Sequence, residues 1–385
     1  MNLQDQETIN KDVNLSYWQR HHYQANYDLI IIGSGIVGMC SALEFKRKHP
    51  KSRVLILEKS RSAWGASVKN AGFACFGSPS EVLSDINSMG LDKALQLVEM
   101  RVQGLELLLK QVNPKKINYQ NNGGYELFWD PKKMESCLDS LNRLNGYLKP
   151  ITGQSTTYTQ LKGQHNWTFK SLHGALFNAL EGEINPQLLV HELHKQCIKL
   201  DIEFCFDTHV LQWHSINSCV NVVCSWHVFT CNYLLLCSNG FSRALLPDTD
   251  LVPARAQVLI TKPLEGLNWK GCFHFEEGYY YFRAINRRIL FGGGRQTDFK
   301  TETTDRDGIN NHIQSHLKQI LQNQLFPSLT PPEIEFEWSG IMGMGSEKGP
   351  LIENPAQNVF TAIRMGGMGL ALACKVAQKL VKTYF

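Results

Sequence analysis

The sequence predicts an α/β protein of two domains, with a Rossmann-like unit near its N-terminus and a second, α+β unit. The stretch Tyr27–Lys59 supports the first unit, because it reads as strand, glycine turn, helix and second strand. The stretch 253–295 supports the second unit, because short strand-like runs follow one another there. A chain of 385 residues is also longer than one compact core usually holds.

The opening stretch has the spacing of a dinucleotide-binding turn. Leu29–Ile32 is a short apolar run that ends at a glycine, as expected of a buried parallel strand. The turn that follows has the pattern G-x-G-x-x-G and consists of Gly33, Ser34, Gly35, Ile36, Val37 and Gly38. The first glycine makes the turn, the second lets a pyrophosphate approach the backbone, and the third lets the helix pack on the strand.

A helix and a second strand complete this fingerprint. Met39–Phe45 carries the helix, whose N-terminus would face the phosphates, and Arg53–Leu57 is the next strand. Glu58 ends that strand about twenty residues after the glycines, where an acidic side chain binds the ribose hydroxyls. Because an acid here disfavours a 2′-phosphate, the sequence favours FAD or NAD over NADP.

Composition excludes several other classes of function. A net charge of +4 without a basic run argues against a nucleic-acid partner. No apolar run approaches the roughly 20 residues that a transmembrane segment needs, and the N-terminus lacks the apolar core of a signal peptide. The eleven cysteines are scattered and many lie in apolar runs, which predicts reduced thiols and a cytoplasmic protein.

A loop rich in small residues follows the ribose acid. The small residues are Gly65, Ala66, Ser67, Ala71, Gly72 and Ala74. Such density indicates close approach of the backbone to a flat or bulky group, and Ser67, Lys69 and Asn70 add hydrogen-bond donors. We interpret the loop as a cradle for a flavin ring, with an ordinary connecting loop as the alternative.

Helices and strands alternate through the rest of the chain. Residues 1–26 read as a polar lead-in, while 81–113 and 131–148 have helical periodicity and belong to an inserted α+β block. Asn185 and Pro186 predict a helix start.

Two glycine turns follow strands in the second half of the chain. A predicted hairpin, Val220–Trp226 with Val228–Cys237, ends in a turn at Asn239 and Gly240. This turn either brings backbone against a cofactor or is simply a tight turn. Near the C-terminus, a strand leads through G-G-M-G into a last helix, whose N-terminus is a second place for anionic charge.

Candidate substrate contacts lie in the segment 278–295. Tyr279, Tyr281 and Arg283 would share one face of a strand by alternation, which suits a small carboxylate substrate. The alternative is an ordinary sheet with aromatic cross-strand pairs. Arg295, after three glycines, is a second candidate for gripping the carboxylate. His191 and His194 do not form the zinc pattern H-E-x-x-H, and we predict no metal site.

The order of the motifs resembles the D-amino-acid oxidase family of FAD-dependent oxidoreductases. The motifs are the N-terminal G-x-G-x-x-G with Glu58, the G-A-S-x-x-N-A-G loop, and the G-G-M-G turn before the last helix. The resemblance covers nearly the whole chain, from Tyr27 to Val381, with the INP helix and the SNG turn between the outer motifs.

The resemblance implies a Rossmann-like FAD-binding domain with an interleaved substrate domain on a mixed or antiparallel sheet. The FAD domain would combine 27–85, 175–252 and 335–385, and the substrate domain 86–174 and 253–334. The residues implied to hold FAD are Gly33, Ser34, Gly35, Ile36, Val37, Gly38, Glu58, Lys59, Ser67, Asn70, Ala71, Gly72, Val210, Asn239, Gly240, Arg364, Gly367, Met368 and Gly369.

The resemblance also implies the reaction. We expect oxidation of the C–N bond of a small amine or amino acid by hydride transfer to flavin N5, with oxygen or another electron acceptor completing the cycle. Tyr281 with Arg283 or Arg295 would anchor a substrate carboxylate, and Arg364 competes for that role. FAD would be non-covalent, because Asn70 stands where some relatives use a histidine and Trp338–Glu353 contains no cysteine. The alternatives are a 2-hydroxy acid dehydrogenase and a flavin-binding subunit that needs a partner for turnover.

Overall fold

The computed structural model describes residues 14–163, 167–216, 218–328 and 330–385, so residues 1–13 of the predicted lead-in lie outside the described part. The helices are α1 Tyr17–Tyr23, α2 Ile36–Lys48, α3 Ala66–Lys69, α4 Pro79–Met89, α5 Leu91–Gln111, α6 Pro131–Thr152, α7 Pro186–Lys199, α8 Asn311–Ile320 and α9 Gly369–Tyr384. The strands are β1 Tyr27–Ile32, β2 Val54–Leu57, β3 Phe73–Ala74, β4 Gly124–Phe128, β5 Thr159–Gln160, β6 Gly174–Asn178, β7 Gly182–Glu183, β8 Glu203–Cys205, β9 Val210–Ile216, β10 Cys219–Cys224, β11 Val228–Leu236, β12 Val252–Thr261, β13 Cys272–Phe275, β14 Tyr280–Ile285, β15 Arg288–Gly293, β16 Ile334–Met344, β17 Leu351–Ala356 and β18 Val359–Ile363.

The first sheet contains the predicted fingerprint. Its main strand order is β17-β18-β11-β1-β2-β8, and all neighbours from β18 to β8 are parallel. The β9–β10 hairpin pairs with the first half of β11, and β18 pairs with the second half. Ile32 lies level with both Leu57 and Leu236, so the carboxyl ends of β1, β2 and β11 meet at one edge. Ligands of open α/β sheets bind at such an edge.

The second sheet has the order β16-β12-β15-β14-β13-β4-β6-β5. Its neighbours are antiparallel except for β13 and β4, so the predicted mixed or antiparallel sheet is confirmed. The β14–β15 hairpin turns at Asn286 and Arg287, both with positive φ (49° and 61°). Two successive positive φ values suit the twist of a tight hairpin, and the expected polar turn is therefore present.

The chain passes between the two sheets as often as the predicted segments require, but two strands next to these passages lie largely beyond the predicted boundaries. Strands β6 and β16 belong to the second sheet, paired with β4 and β12. The predicted boundaries at 175 and 335 assign most residues of both strands to the cofactor domain instead. Their patterns are strand-like in either sheet, so only the pairing decides their place. The domain boundaries themselves stay a prediction.

The predicted helix 81–113 is two helices. Ser78 caps α4 by accepting a hydrogen bond from the backbone N–H of Glu81, and Gly90 separates α4 from α5. Gly90 has φ +85°, a conformation that favours glycine and ends the first helix. By contrast, α7 starts as expected, with the Asn185 side chain accepting from the backbone N–H groups of Gln187 and Leu188.

Helices α2 and α9 cover the face of the first sheet that carries the larger core, and α5 packs on the outer side of α9. α9 packs against both α2 and α5. At the α5 crossing a β-carbon on Gly104 would lie 1.9 Å from the Ala371 carbonyl oxygen, so only glycine allows this approach. Across the α2 crossing the sulfur atoms of Cys40 and Cys374 are 3.4 Å apart. Within the described residues, no helix is both long and apolar enough to span a membrane.

Candidate functional site

A cleft of about 1040 Å³ lies between the two sheets. One wall is the carboxyl edge of β1, β2 and β11 with the first turns of α2 and α9. The other wall comes from β12, β14, β15 and β16 of the second sheet. The indole N–H of Trp338 on β16 donates to the Lys69 carbonyl oxygen (2.9 Å), and Lys69 pairs with Asp307 (2.9 Å). These contacts tie the second sheet to the small-residue loop.

The glycine turn of the fingerprint closes onto the sheet as its spacing predicts. The Gly33 N–H donates to the Leu57 carbonyl oxygen (2.8 Å), and Gly33 has φ +106°. A β-carbon on Gly38 would lie 2.0 Å from the Gly33 carbonyl oxygen. Any side chain at 38 would therefore push α2 away from β1 and open the turn.

Glu58 orders the edge of the sheet beside that turn. One carboxylate oxygen accepts from the Ser34 backbone N–H (3.0 Å) and hydroxyl (2.9 Å), and the other accepts from the Ser60 N–H (3.0 Å). The Glu58 carbonyl oxygen accepts from the Thr208 N–H (2.9 Å), which brings the start of β9, with Val210, to the cleft. The acid thus stands where ribose hydroxyls would reach it.

The small-residue loop contains a one-turn helix, α3, that faces α2. The Ser67 hydroxyl accepts a hydrogen bond from the Ile36 N–H (3.0 Å) at the first turn of α2. Asn70 donates to the Ala66 and Ser67 carbonyl oxygens and accepts from the Gly72 N–H (2.8 Å). The Asn70 side chain therefore holds the loop in shape while lining the cleft.

The two later glycine turns meet at the far end of the cleft. The Asn239 side chain accepts from the Met365 N–H (3.2 Å). A β-carbon on Gly240 would lie 2.5 Å from the Met342 carbonyl oxygen, so Gly240 packs on β16 and does not line the cleft. Arg364 lines the cleft, but its guanidinium pairs with Asp250 (2.6 Å). The backbone at 239 and 364 has positive φ, 46° and 61°.

Two glycines leave room that no protein atom fills. Gly65 and Gly366 line the cleft, and a β-carbon at either would have no heavy atom within 4 Å. A cradle of this kind fits a flat bound group that lies against bare backbone. Together with the glycine turn and Glu58, these positions fit FAD.

The opposite wall presents Tyr281 and Arg295. The Tyr281 ring packs edge-on against Phe73 (5.7 Å between centroids), and burial raises the pKa of its phenol to about 12. The Arg295 guanidinium lies over the Phe299 ring (4.6 Å), and no carboxylate of the described residues lies within ion-pair distance of it. Burial lowers the pKa of Arg295. An anion in the cleft is thus a fitting partner for this cation.

Arg283, the other arginine expected at this wall, does not line the cleft. Its guanidinium is buried (6% exposed), pairs with Glu183 (3.3 Å) and donates to the Ile184 carbonyl oxygen (2.9 Å). The alternation rule placed it on the face of Tyr281, but the strand delivers it beneath the small-residue loop, beside Gly72. Its charge is already compensated there.

Most of the other expected site residues line the cleft. Those that do are Gly33, Gly35, Ile36, Val37, Glu58, Lys59, Ser67, Asn70, Ala71, Val210, Asn239, Arg364, Gly367, Met368, Gly369, Tyr281 and Arg295. Those that do not are Ser34, Gly38, Gly72, Gly240 and Arg283. Of these five, Ser34, Gly38 and Gly72 shape the lining from behind.

Sequence reasoning missed a buried ion pair on the α4–α5 side of the cleft. Arg101 (4% exposed) donates to Glu81 (3.0 Å) and to the Phe76 carbonyl oxygen (3.1 Å). The available signal was the position of Arg101 on the apolar face of α5, between Val98 and Val102. A charged residue on a buried stripe is uncommon unless it is paired.

A second missed cluster forms part of the cleft wall. Potential ligand atoms of Cys75, Glu181 and His274 lie within 4.8 Å of one another, although the sequence predicted no metal site. Burial raises the pKa of Cys75 well above its usual range, raises that of Glu181 to about 7 and lowers that of His274 to about 4. The Glu181 carboxylate of this cluster already accepts hydrogen bonds from two backbone N–H groups, and the absence of a metal site stays a prediction.

Comparison with known proteins gives consistent results. The sequence profile of the DAO family, described as "FAD dependent oxidoreductase", matches residues 28–383. A Haemophilus influenzae protein named "Probable oxidoreductase OrdL" is 22% identical over 363 residues, which cover 90% of this chain and 80% of that protein. L-proline dehydrogenase from P. horikoshii has a similar structure, with a TM-score of 0.75 and 14% identity over 93% of both chains. Glycine oxidase from Geobacillus kaustophilus has a TM-score of 0.74 and 18% identity, covering 93% of this chain and 95% of that one.

Proposed function

The chain belongs to the DAO family of FAD-dependent oxidoreductases, and on that premise we propose that it oxidises the C–N bond of a small amine or amino acid. The observation that carries this proposal is the cleft itself. Its sheet-edge wall fits a dinucleotide, while its opposite wall offers the half-buried Arg295, which has no carboxylate partner among the described residues, and the phenol of Tyr281. Two proteins of similar fold are named as enzymes that act on glycine and L-proline.

FAD would be held without a covalent bond. The turn from Gly33 to Gly38 and the N-terminus of α9 would receive its phosphates, and Glu58 its adenosine ribose. Asn70 and the bare backbone at Gly65 and Gly366 would lie along its ring. Asn70 has no nucleophilic atom to tether the ring, which supports non-covalent binding.

Arg295 and Tyr281 would orient the substrate. The guanidinium of Arg295 offers a two-pronged grip for a carboxylate, and the neutral Tyr281 hydroxyl can donate a further hydrogen bond. We prefer Arg295 to Arg283 and Arg364, because those two guanidinium groups already pair with Glu183 and Asp250. FAD, when bound, takes up the electron pair that the substrate loses. The surrounding wall would fix the substrate carbon and exclude water.

Anaerobic bleaching tests the proposal. The purified protein should be yellow, or become yellow with added FAD, and an amino acid or amine from a small panel should bleach it under argon. Denaturation in acid should release all of the colour, as expected of non-covalent FAD. A colourless protein that cannot be loaded with FAD, or a yellow one that no amine bleaches, would contradict the proposal. Restoring oxygen or an artificial acceptor after bleaching would identify the type of electron acceptor.

A parallel panel of 2-hydroxy acids distinguishes the main alternative. The carboxylate grip at Arg295 suits hydroxy acids equally well, because the two substrate classes differ in whether a C–O or a C–N bond is oxidised. A flavin-binding subunit that needs a partner for turnover is the other alternative. Its sign would be bleaching only after a partner protein is added.

The compartment we propose is the cytoplasm, supported by the mostly buried thiols of the eleven cysteines.

A further inference from the structure

A small polar cavity lies behind the substrate side of the cleft. Its volume is about 10 Å³, close to the room that one water molecule needs. Its polar lining includes Glu126, Asn178, Glu181, Tyr158 and His274. His274 lines both this cavity and the large cleft, so its ring stands between the two. The cavity is therefore one side chain away from the substrate.

Two side chains at the cavity have polar atoms that lack a partner. The Asn178 amide nitrogen and the His274 Nε2 atom are buried, and neither has a hydrogen-bond partner among the described residues. Asn178 is 3% exposed, and its side-chain oxygen already accepts from the Leu180 N–H (3.0 Å). A buried amide N–H without an acceptor is costly, and one water in the cavity would satisfy it.

The cavity also brings two buried carboxylates together. Glu181 (2% exposed) accepts from the Phe76 and Gly77 N–H groups at 2.9 and 3.3 Å. Glu126 (2% exposed) accepts from the Ser80 N–H (2.9 Å) and from the Ser78 hydroxyl (3.1 Å). The donors to both carboxylates are neutral. Among the described residues, no basic side chain forms an ion pair that would stabilise either carboxylate in its charged form.

We propose that this cavity holds a water molecule through which Glu181, assisted by Glu126, takes up the proton that an ammonium substrate must lose before oxidation. His274 would be the link between cleft and cavity. The inference rests on the proposed amine oxidation. An N–H bond of the substrate breaks, and an O–H bond forms on a Glu carboxylate. The C–H bond of the neutral amine then breaks, its hydrogen and both bonding electrons pass to FAD as a hydride, and a C=N bond forms. The substrate is oxidised, and FAD is reduced, by two electrons.

The pKa values of the groups involved support proton transfer from the substrate to Glu181. Burial raises the pKa of both Glu126 and Glu181 to about 7, which is the range suited to a base near neutral pH. Burial keeps His274 neutral, with its pKa lowered to about 4, so its ring can accept a proton on one nitrogen and release one from the other. The titratable groups among the described residues that face this set include Cys75, Cys137, Cys272, Tyr158, Tyr281, Glu81 with Arg101, and Glu183 with Arg283.

Glutamine substitution at Glu181 tests the proposal in the full-length, FAD-loaded protein. Glu181→Gln keeps the oxygen that accepts from Phe76 and Gly77 but cannot take up a proton. The rate of anaerobic bleaching by an amine should fall about 10²-fold at neutral pH. The wild-type rate should level off above the pKa of the Glu pair, whereas the variant's rate should keep rising toward the amine's own pKa, about 10. Glu99→Gln, the same change at an exposed position of α5, is the matched control.

Infrared spectroscopy gives a second readout that does not depend on turnover. The wild-type protein should show the C=O band of a buried carboxylic acid that disappears with a midpoint close to pH 7. Glu181→Gln should remove part of that band, and Glu99→Gln should leave it unchanged.

Two results of these experiments, and one metal analysis, would each overturn the inference. One is the absence of a buried acid band that titrates near neutrality. The other is an unchanged acid limb of the bleaching rate in Glu181→Gln. A stoichiometric zinc ion that is lost in His274→Gln would also overturn it, because a metal would then occupy the cluster. If the infrared band behaves as expected but no amine bleaches the wild-type protein, the proposed function fails instead.

Discussion

Tyr281 lies directly across from Gly292 on the neighbouring strand, and its ring covers the bare α-carbon of that glycine. A β-carbon on Gly292 would lie 2.6 Å from ring atom Cε2 and 2.7 Å from the hydroxyl oxygen. The absence of a side chain at 292 therefore sets the direction in which the Tyr281 hydroxyl points. The proposed substrate wall thus depends on a position that has no side chain.

Gly292→Ala should displace the Tyr281 ring and leave the sheet intact. We expect kcat/KM for the best substrate to fall about 10-fold, a typical cost of a misplaced orienting group. Steady-state kinetics and a thermal melt would measure both effects. Gly146→Ala is the matched control, because that helix position is exposed and open and should gain stability slightly. Unchanged kinetics in Gly292→Ala would mean that Tyr281 does not orient the substrate.

Arg295→Met should separate acids from plain amines. Removing a charge-assisted, two-pronged contact costs about 2–4 kcal/mol, so kcat/KM for amino acids should fall roughly 30- to 10³-fold. Amines without a carboxylate should lose far less. Arg143→Met, at an exposed site on α6, should change neither. Equal losses for both substrate types would show that Arg295 acts on stability or on the cofactor and does not bind the carboxylate.

Gly65→Val should weaken FAD binding without unfolding the protein. Gly65 is the N-cap residue of α3, and the new side chain has free space in the cofactor-free protein. The free energy of unfolding without FAD should therefore fall by no more than the cost of a poorer cap, about 1 kcal/mol. The same side chain would project into the cradle, so the Kd for FAD should rise at least about 10-fold. Fluorescence titration of FAD measures this Kd. An unchanged Kd would place the ring elsewhere in the cleft.

Glu126→Gln should stabilise the protein at alkaline pH. Burial raises the pKa of Glu126 from 4.5 to about 7 in the folded protein. The folded state therefore holds the proton more tightly, so this contribution to the free energy of unfolding is complete below pH 4.5 and is lost as the pH rises through 7. The loss amounts to at most about 3 kcal/mol. Thermal melts should show the variant melting above the wild type at pH 8 and level with it near pH 5. The opposite order would refute the assignment.

Glu302→Ala should destabilise the protein strongly. The Glu302 side chain is fully buried (0% exposed) and accepts from Arg255 (2.8 Å) and Asn310 (2.9 Å). Leaving the buried Arg255 guanidinium unpaired should cost about 3–5 kcal/mol in the free energy of unfolding. Urea denaturation measures this cost. Glu333→Ala removes an exposed partner of Lys262 and should cost less than about 1 kcal/mol. A similar small loss of unfolding free energy in both variants would contradict the expectation that the buried ion-pair partner contributes more to stability than the exposed one.

The sequence predicted those parts of the site that depend on neighbours along the chain. The fingerprint from Gly33 to Glu58 was predictable, because its strand, turn and helix signals all lie within one short stretch. The start of α7 at Asn185 and the β14–β15 turn at Asn286 were predictable for the same reason, since capping and turn residues act locally.

The parts that were missed depend on distant partners. Arg283 has the same alternation as Tyr281, but Glu183, a hundred positions away, captures its charge. No sequence pattern singles out His274, because its position between the small cavity and the cleft arises only where β13 lies beside β4. Alternation tells which side chains share a face of a strand, but not which positions along that face line the cleft.

The packing of α9 on α2 has a consequence for synthesis of the protein. The helix that follows the first glycine turn is synthesised more than 300 residues before its partner helix and the neighbouring strand β18. On the ribosome, the cleft therefore stays incomplete until α9 has been synthesised. Until then apolar strand edges are exposed, and they favour recruitment of chaperones. Truncation before Gly369 should accordingly yield an aggregating chain instead of a weakened enzyme.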